Sequence, residues 1–350
     1  MTPAFVFPTA RQKERLRRLV GPEDGVVLAH PDIAPADGAS GLREQEAAPG
    51  DAAPAGRWLV LHELGVYHLR TVDPAPETTF GARCLDMLTK TGAAAVFDLA
   101  GVRRAPKADA PLDGPLPAEP PFVVKPDFGF GSQLVKVVRD EAQWRAYADV
   151  ARTPSGVRAR YGRAYFADEP GLLDRFVAEP LLDGTFLSVP FVWDGAAVTA
   201  FPVSGAEAAS TASTDFHWER FEAPARIDPA AFAALESDLA RLAGPCELRP
   251  GVFEAELLLL AGGELCFLEF SPRPTGGVVP ELVWHAYGVD IDELAVRCFL
   301  GERPAVARDA ARPVLGVRSP AAAPPDESLE LLSEQAGAGG RLVDRVYAAA

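Results

Sequence analysis

The segment Glu256–Gly277 reads ELLLLAGGELCFLEFSPRPTGG and places acids, an arginine and glycines close together. Two apolar runs, Leu257–Leu260 and Leu265–Phe270, flank Gly262-Gly263, a dipeptide typical of two-residue hairpin turns. Each run has the length of a strand and ends at the glycines. We therefore predict an antiparallel β-hairpin here.

The predicted hairpin brings acidic side chains face to face. With a two-residue turn, Glu256 lies directly opposite Glu269 and Glu254 lies opposite Ser271, on one face of the sheet. Opposed carboxylates repel, so this pairing favours a cation between them. Magnesium prefers a few carboxylate oxygens together with substrate phosphate oxygens. The alternative is a surface hairpin with scattered acids.

Residues that could bind an anion lie on both sides of this pair. Arg273 and the flexible Thr275-Gly276-Gly277 follow the hairpin directly. Earlier in the chain, an apolar strand ends at Lys125-Pro126 and leads into Gly129-x-Gly131-Ser132. Glycines let backbone N–H groups approach phosphates, and a lysine at a strand end adds a point charge. No helix opens directly from these glycines, so they match neither the P-loop nor the dinucleotide-binding pattern.

Together these motifs resemble the ATP-grasp superfamily. The resemblance rests, in chain order, on Lys90, Lys125-Pro126, Gly129-x-Gly131-Ser132, Glu179, Glu256 and Glu269-x-Ser271-Pro-Arg273 with Gly276-Gly277. It covers about Gly81 to Glu302, and is greatest to amino-acid and carboxylate–amine ligases of natural-product pathways. It implies an α/β fold with an ATP cleft between two α+β lobes, an acyl-phosphate intermediate, and release of ADP and phosphate.

The resemblance also implies a role for each matching residue. Contacts with ATP would come from Lys90, Lys125, Gly129, Gly131, Ser132 and Glu179. Magnesium, or manganese, would be held by Glu256, Glu269 and Ser271. Arg273 and Glu269 would be the catalytic residues, and substrate contacts would come from His217, Glu219, Gly276 and Gly277. The chain departs from the family at Phe186, where glutamate is usual, and at Ser271, where asparagine is usual.

Length, composition and charge narrow the function classes. The chain has 350 residues, 48% of them hydrophobic, which supports two or three subdomains with a sizeable core. A net charge of −15 argues against nucleic-acid and anionic-membrane partners. Neither a membrane span nor a signal peptide is evident, and the four cysteines lack metal-site spacing, which favours a cytoplasmic location.

Lysine is rare in this chain. Only five of the 34 basic residues are lysines. Where arginine is the default cation, a retained lysine indicates a need for its compact ammonium group. We apply this argument to Lys90 and Lys125, interpret Lys13 and Lys107 as chance retention, and leave Lys136 open.

The resemblance and the order of apolar and polar segments together imply three parts. These are an N-terminal α/β domain (1–80), an ATP-grasp domain (81–302) and a small C-terminal lobe (303–350). The middle part divides into a connecting helix and linker (81–120), an ATP lobe (121–180) and a metal and substrate lobe (181–302). We also predict a strand at Val66–Leu69, an irregular polar loop at Ser204–Arg226, and a helix capped by Asp228 with Pro229 in its first turn.

The function that the resemblance implies is an ATP-dependent ligase joining a carboxylic or amino acid to an amine. Its partners would be those small molecules, and a homodimer is left open. One alternative is a carboxylate–thiol ligase that loads an acyl-carrier protein, for which Arg158, Arg160 and Arg163 offer a basic patch. The other is a non-catalytic nucleotide-binding module, supported by Ser271 because a hydroxyl is a poorer metal ligand than an amide.

Overall fold

The structure is a computed structural model that describes residues 3–21, 24–30, 33, 43–49, 51, 56–72, 76–129, 131–153, 158–207, 218–308, 311–320, 328–336 and 342–349. Within these residues the chain forms three β-sheets with helices packed on them, the mixed α/β architecture that was predicted. No helix in this part of the chain is long and apolar enough to cross a membrane. All four cysteines are buried and unpaired, as small core residues.

Most of the helices begin at a residue whose side chain caps the first turn. The α-helices of the described residues are α1 (Ala10–Leu19), α2 (Glu63–His68), α3 (Arg83–Asp86), α4 (Lys90–Ala100), α5 (Glu141–Ala151), α6 (Arg163–Tyr165), α7 (Pro229–Leu242), α8 (Val279–Tyr287) and α9 (Ile291–Phe299). The predicted cap of α7 is confirmed, because the Asp228 side chain accepts hydrogen bonds from the Ala230 and Ala231 N–H groups. Leu235, Leu239 and Leu242 form its buried face.

The N-terminal sheet is parallel. Its strands are β1 (Ala4–Val6), β2 (Val26–Ala29), β3 (Arg43–Glu46), β4 (Arg57–Val60) and β5 (Glu77–Thr78), in the order β3-β2-β1-β4-β5. The prediction of a strand at Val66–Leu69 was wrong, since this run lies in α2 and the 3₁₀ turn after it. His62 starts that helix by accepting a hydrogen bond from the Leu64 N–H at 3.2 Å.

The second sheet is antiparallel and carries the glycine-rich loop. Its strands are β6 (Ala108–Asp109), β7 (Phe122–Pro126), β8 (Lys136–Val138) and β9 (Phe176–Pro180), in the order β6-β9-β7-β8. Helix α5 covers one face, where Trp144 and Tyr147 pack on Phe122 and Phe176. The opposite face, with Val123 and Lys125, is left to line a cleft.

The third sheet is also antiparallel and includes the C-terminal strands. Its strands are β10 (Gly184–Trp193), β11 (Val198–Ala200), β12 (Val203–Glu207), β13 (Trp218–Ala223), β14 (Gly251–Leu260), β15 (Leu265–Ser271), β16 (Val314–Pro320), β17 (Leu331–Ala336) and β18 (Leu342–Ala348). They lie in the order β15-β14-β10-β12-β13-β16-β18-β17, with β11 beside β10. The predicted loop at Ser204–Arg226 was wrong at both ends, because backbone pairing with neighbouring strands takes those ends into β12 and β13. The C-terminal strands extend the sheet at β13.

Candidate active site

The acidic pair lies where the hairpin register predicts. In the β14–β15 pair, Glu256 is directly opposite Glu269 and Glu254 is opposite Ser271. The side chains of Glu254, Glu256 and Glu269 line one cavity. This part of the sequence prediction is confirmed.

The turn of the hairpin differs from the prediction. The Leu260 N–H donates to the Glu264 carbonyl at 2.9 Å, so the loop holds three residues and not the predicted Gly262-Gly263 alone. Gly263 has φ 79°, a conformation that favours glycine. Leu268 is a one-residue bulge on β15, because Glu269 pairs with Glu256 while Phe267 pairs with Leu257. The bulge offsets the longer turn and restores the predicted register at the acidic pair.

The two opposed carboxylates titrate differently. Burial and the charges of Glu269 and Glu254 raise the pKa of Glu256 well above its usual range. Burial also acts to raise the pKa of Glu269, but Lys90 and Lys125 act against it, so the net shift is downward. A proton shared by the pair is therefore held mainly on Glu256.

These opposed oxygen donors fit a hard divalent cation. Such a cation would offset the negative charges of Glu269 and Glu254 that raise the pKa of Glu256. In the described part of the chain, no group of three or more histidine, cysteine, aspartate or glutamate side chains is arranged to hold a metal ion. A magnesium ion at Glu256 and Glu269 would therefore take its other ligands from phosphate oxygens and water.

Lys90 lies at the N-terminus of α4 and points at the acidic pair. Its Nζ is 3.2 Å from Glu269 Oε1 and donates to the Gly129 carbonyl at 2.6 Å. The fully buried Asp127 fixes the same helix end, because its Oδ1 accepts from the Thr91 N–H at 2.8 Å. Since Asp127 directly follows β7, the helix that carries Lys90 is tied to the strand that carries Lys125.

Lys125 and Glu179 form a buried cluster with a third residue, Lys107. Glu179 Oε2 is 3.0 Å from Lys125 Nζ, and Oε1 accepts a hydrogen bond from Lys107 Nζ. Each of the three side chains is at most 7% exposed. The interpretation of Lys107 as chance retention was therefore wrong. The predicted contacts of Lys125 and Glu179 with ATP stay predictions.

Two other lysines lie away from the cavity. Lys13 is buried in α1 and its Nζ is 3.1 Å from Glu44 Oε2, so the interpretation of this lysine as chance retention was also wrong. Lys136 lies in β8 opposite Val124. Because Val124 belongs to the core beneath α5, the pairing places Lys136 on the sheet face away from Lys125.

The glycine-rich loop lines the same cavity as Lys90 and Lys125. Gly129, Gly131 and Ser132 all line the cavity, and their predicted contacts with phosphate stay predictions. Gly131 has φ 67°, and no atom lies within 4 Å of the position that a Cβ would occupy. Its conformation, and not crowding, is what favours glycine there.

Arg273 is held by two carboxylates from distant parts of the chain. Its Nε donates to Glu63 Oε2 at 2.7 Å, and its Nη1 donates to Glu254 Oε2 at 3.3 Å. Glu63 is the first residue of α2 in the N-terminal domain. Burial acts to lower the pKa of Arg273, but Glu63 and Glu254 raise it overall. The guanidinium is therefore a fixed positive charge at the cavity wall.

The loop after Arg273 contacts the C-terminal strands. Thr275 Oγ1 donates to Glu254 Oε1, which also accepts from Ser188 Oγ at 2.8 Å. Gly277 has φ 62°, and a Cβ there would lie 2.6 Å from Arg318 Nη2. The conformation favours glycine at this position, whereas the close contact is only with the flexible end of Arg318. Residues 303–350 thus contribute Arg318 to the site.

A cavity of about 1100 Å³ joins most of the predicted residues. Its wall includes the residues predicted for ATP, metal and catalysis, namely Lys90, Lys125, Gly129, Gly131, Ser132, Glu179, Glu256, Glu269 and Arg273, and also Gly276 and Gly277. Ser271 lines a smaller adjoining recess with Glu63, Lys90 and Glu269. Phe186, the departure from the family pattern, also lines the main cavity.

The side chains of two predicted substrate residues are not described by the structure. His217 lies outside the described residues, as does the side chain of Glu219, whose backbone is in β13. Their substrate contacts stay predictions.

Sequence reasoning missed several residues of the site. The scarcity of lysine was a signal for Lys107 that was set aside. Glu63 follows the carboxyl end of the parallel strand β4, a common position for ligand-binding residues in such sheets. Arg318 lies in β16, and the sequence of this strand carries no motif that would mark Arg318 as a binding residue.

A comparison with known families agrees with this geometry. The profile of the ATP-grasp domain matches residues 118–281. This chain contains an ATP-grasp domain. The matched segment runs from the strand that carries Lys125 through the hairpin of Glu256 and Glu269 to Gly277. No curated protein sequence matches the chain.

Solved structures share the ATP-grasp fold at low identity. An L-amino acid ligase from Bacillus licheniformis has a TM-score of 0.71 and 13% identity, covering 100% of this chain and 94% of that one. An N5-carboxyaminoimidazole synthase from Aspergillus clavatus, in complex with ADP and 5-aminoimidazole ribonucleotide, has a TM-score of 0.70 and 14% identity, covering 99% and 94%.

A biotin carboxylase domain of the Hydrogenobacter thermophilus 2-oxoglutarate carboxylase, in complex with MgADP, ADP and bicarbonate, has a TM-score of 0.67 and 13% identity, covering 99% and 86%. At such identities the likeness shows the fold. Because it spans almost the whole chain, the ATP-grasp fold here includes the N-terminal sheet and the C-terminal strands.

Proposed function

We propose that this protein is an ATP-dependent ligase that joins a carboxylic or amino acid to an amine, giving ADP and phosphate. One observation carries the proposal. The opposed Glu256 and Glu269 share a cavity with Lys90 and Lys125. This arrangement offers acids for a metal ion and compact cations for a polyphosphate, as phosphoryl transfer needs.

The residues would act on the two substrates as follows. Lys90, Lys125 and the glycine-loop backbone would bind the phosphates of ATP. Glu256 and Glu269 would hold Mg²⁺ or Mn²⁺, which when bound neutralises phosphate charge. A carboxylate oxygen of the acid attacks the γ-phosphorus, and the bond from that phosphorus to ADP breaks. Arg273 would stabilise the charge on the transferring phosphoryl group.

The second step consumes the acyl phosphate. The amine nitrogen attacks the acyl carbon, the bond from that carbon to the phosphate oxygen breaks, and the amine loses a proton to solvent. Neither step needs a protein nucleophile. The relatives support this reaction class, because solved structures with the same fold include an L-amino acid ligase and a synthase in complex with ADP.

Each alternative function has weaker support. Arg158 cannot belong to an exposed basic patch for a carrier protein, because its side chain is buried. Its guanidinium lies 4.6 Å from the centre of the Phe176 ring. A non-catalytic module would have no need for the full set of acids and lysines around the cavity.

The proposal is tested by a two-stage screen. Thermal shift with ATP and Mg²⁺ should first show stabilisation of the protein, and a panel of amino acids and other small carboxylates should add to it. ADP release should then require both an acid from the panel and an amine. No stabilisation by ATP in the presence of Mg²⁺ would refute the proposal.

A further inference from the structure

The pairing of strand β6 with strand β9 brings Lys107 next to Glu179. The β6–β9 register sets Ala108 opposite Ala178, and its continuation sets Lys107 opposite Glu179. On the other side of β9, Val123 of β7 is opposite Glu179. Because side chains two apart share a face, Lys125 projects on the same side as Glu179 and Lys107. All three point toward the cavity side of the sheet.

The cluster keeps an excess of positive charge. Two ammonium groups share one carboxylate, so the buried group of three carries one net positive charge. Lys107 does not line the cavity formed by the described residues, whereas Lys125 and Glu179 do. Burial acts to raise the pKa of Glu179, but Lys125 and Lys107 lower it overall, so the carboxylate stays ionised.

We propose that Lys107 is a positioning residue for the polyphosphate of ATP. By holding one oxygen of Glu179, it prevents this carboxylate from neutralising Lys125 alone, and it preserves a positive charge for the phosphates. Lys107 therefore acts on the nucleotide through Glu179 and Lys125. The inference rests on the proposed binding of ATP in this cavity.

The test measures how binding depends on the number of phosphates. Affinities for ATP, ADP, AMP and adenosine are obtained by displacement of a fluorescent ATP analogue from the full chain. For Lys107→Met, ATP affinity should fall about tenfold, the size typical of coupled charged neighbours, while adenosine affinity is nearly unchanged. Lys136→Met is the matched control, since it removes one lysine charge from the opposite face of the same sheet.

A double-mutant cycle tests whether Lys107 acts through Glu179. In a Glu179→Gln background the carboxylate charge is gone, so Lys107→Met should weaken ATP binding much less than it does in the wild type. Lys107→Arg keeps the charge and should retain part of the preference for ATP over adenosine. This variant also serves as the test protein if Lys107→Met does not fold.

Two outcomes would overturn the inference. One is an equal loss of affinity for adenosine and ATP in Lys107→Met, which would indicate a structural role. The other is wild-type ATP affinity in that variant. In contrast, a wild-type protein that fails to bind ATP at all would refute the proposed function itself, so the two failures are distinguishable.

Discussion

Arg273, which follows the hairpin of β14 and β15, donates a hydrogen bond from Nε to Glu63 Oε2 at the start of α2, at 2.7 Å. Both side chains are largely buried, with exposed fractions of 16% and 15%. The contact joins the first turn of α2 to the end of the hairpin that carries Glu269. Helix α2, which follows β4 of the N-terminal sheet, therefore helps to set the position of the proposed catalytic arginine.

Glu63→Gln should lower turnover more than substrate affinity. The substitution removes a charge-assisted hydrogen bond, so Arg273 would lose part of its orientation while Glu254 still balances its charge. We expect kcat to fall about tenfold with little change in KM for ATP, because small misplacements of a catalytic group are costly. Glu77→Gln is the control, because it makes the same exchange at an exposed acid of the N-terminal sheet. Equal kcat in Glu63→Gln and the control would contradict the assigned role.

Glu269→Gln should abolish turnover while the protein remains folded. The loss of one charge relieves the repulsion that raises the pKa of Glu256 but also removes the ion pair with Lys90, so metal-free stability should change little. Steady-state assays over a range of Mg²⁺ and thermal unfolding without metal are the measurements. Full activity of the variant at ordinary Mg²⁺ would refute the metal assignment.

Lys125→Arg should weaken ATP binding despite keeping the charge. The Lys125 ammonium is buried beside Glu179, and the larger planar guanidinium cannot replace it in the same space. We expect a loss of about tenfold in affinity by calorimetry, comparable to the loss of one charged contact. Lys136→Arg is the control, because it makes the same lysine-to-arginine exchange on the sheet face away from Lys125. An unchanged dissociation constant would place Lys125 outside the ATP site.

His62 should make the fold sensitive to acid. Burial and the charge of Arg273 lower the pKa of His62 from 6.5 to about 3. Its neutral Nδ1 caps α2 by accepting from the Leu64 N–H. Because the folded pKa is below the unfolded value, the contribution of His62 to stability is present above pH 6.5 and is lost as the pH falls toward about 3.

The matching measurement is denaturant unfolding at several pH values. His62→Asn can keep the cap without titrating in this range. Below about pH 6.5 its free energy of unfolding should fall less steeply, by up to about 1.4 kcal/mol per pH unit. Parallel curves for the two proteins would contradict the assignment.

The pairing of Glu256 with Glu269 could be predicted from sequence, partly because two departures from a regular hairpin cancel. These are the longer turn and the bulge at Leu268. A strand pattern with period two fixes which residues share a face, and this placed Glu256 and Glu269 correctly. It could not show the third turn residue or the bulge at Leu268, because a period-two pattern does not specify how many residues a turn or a bulge inserts. Either change alone would have moved Glu269 out of line with Glu256.

The residues that were missed depend on contacts between distant parts of the chain. Strand β6 has two residues and no periodic pattern, so its pairing with β9, which brings Lys107 to Glu179, has no local signature. Glu63 reaches Arg273 only through folding that joins residues 210 positions apart in the chain. Local rules predicted the hairpin of β14 and β15, the strand that ends at Lys125, and helix α7, whereas these ion pairs come from tertiary packing.

The central claim is that the γ-phosphate of ATP is transferred to a substrate carboxylate. The most direct test supplies the acid identified by the screen, ATP, Mg²⁺ and hydroxylamine in place of the amine. Two lysines at the phosphates and a metal at the acidic pair would leave the γ-phosphorus open to attack. We predict one hydroxamate for each ADP and phosphate released. AMP and pyrophosphate in their place would contradict the account.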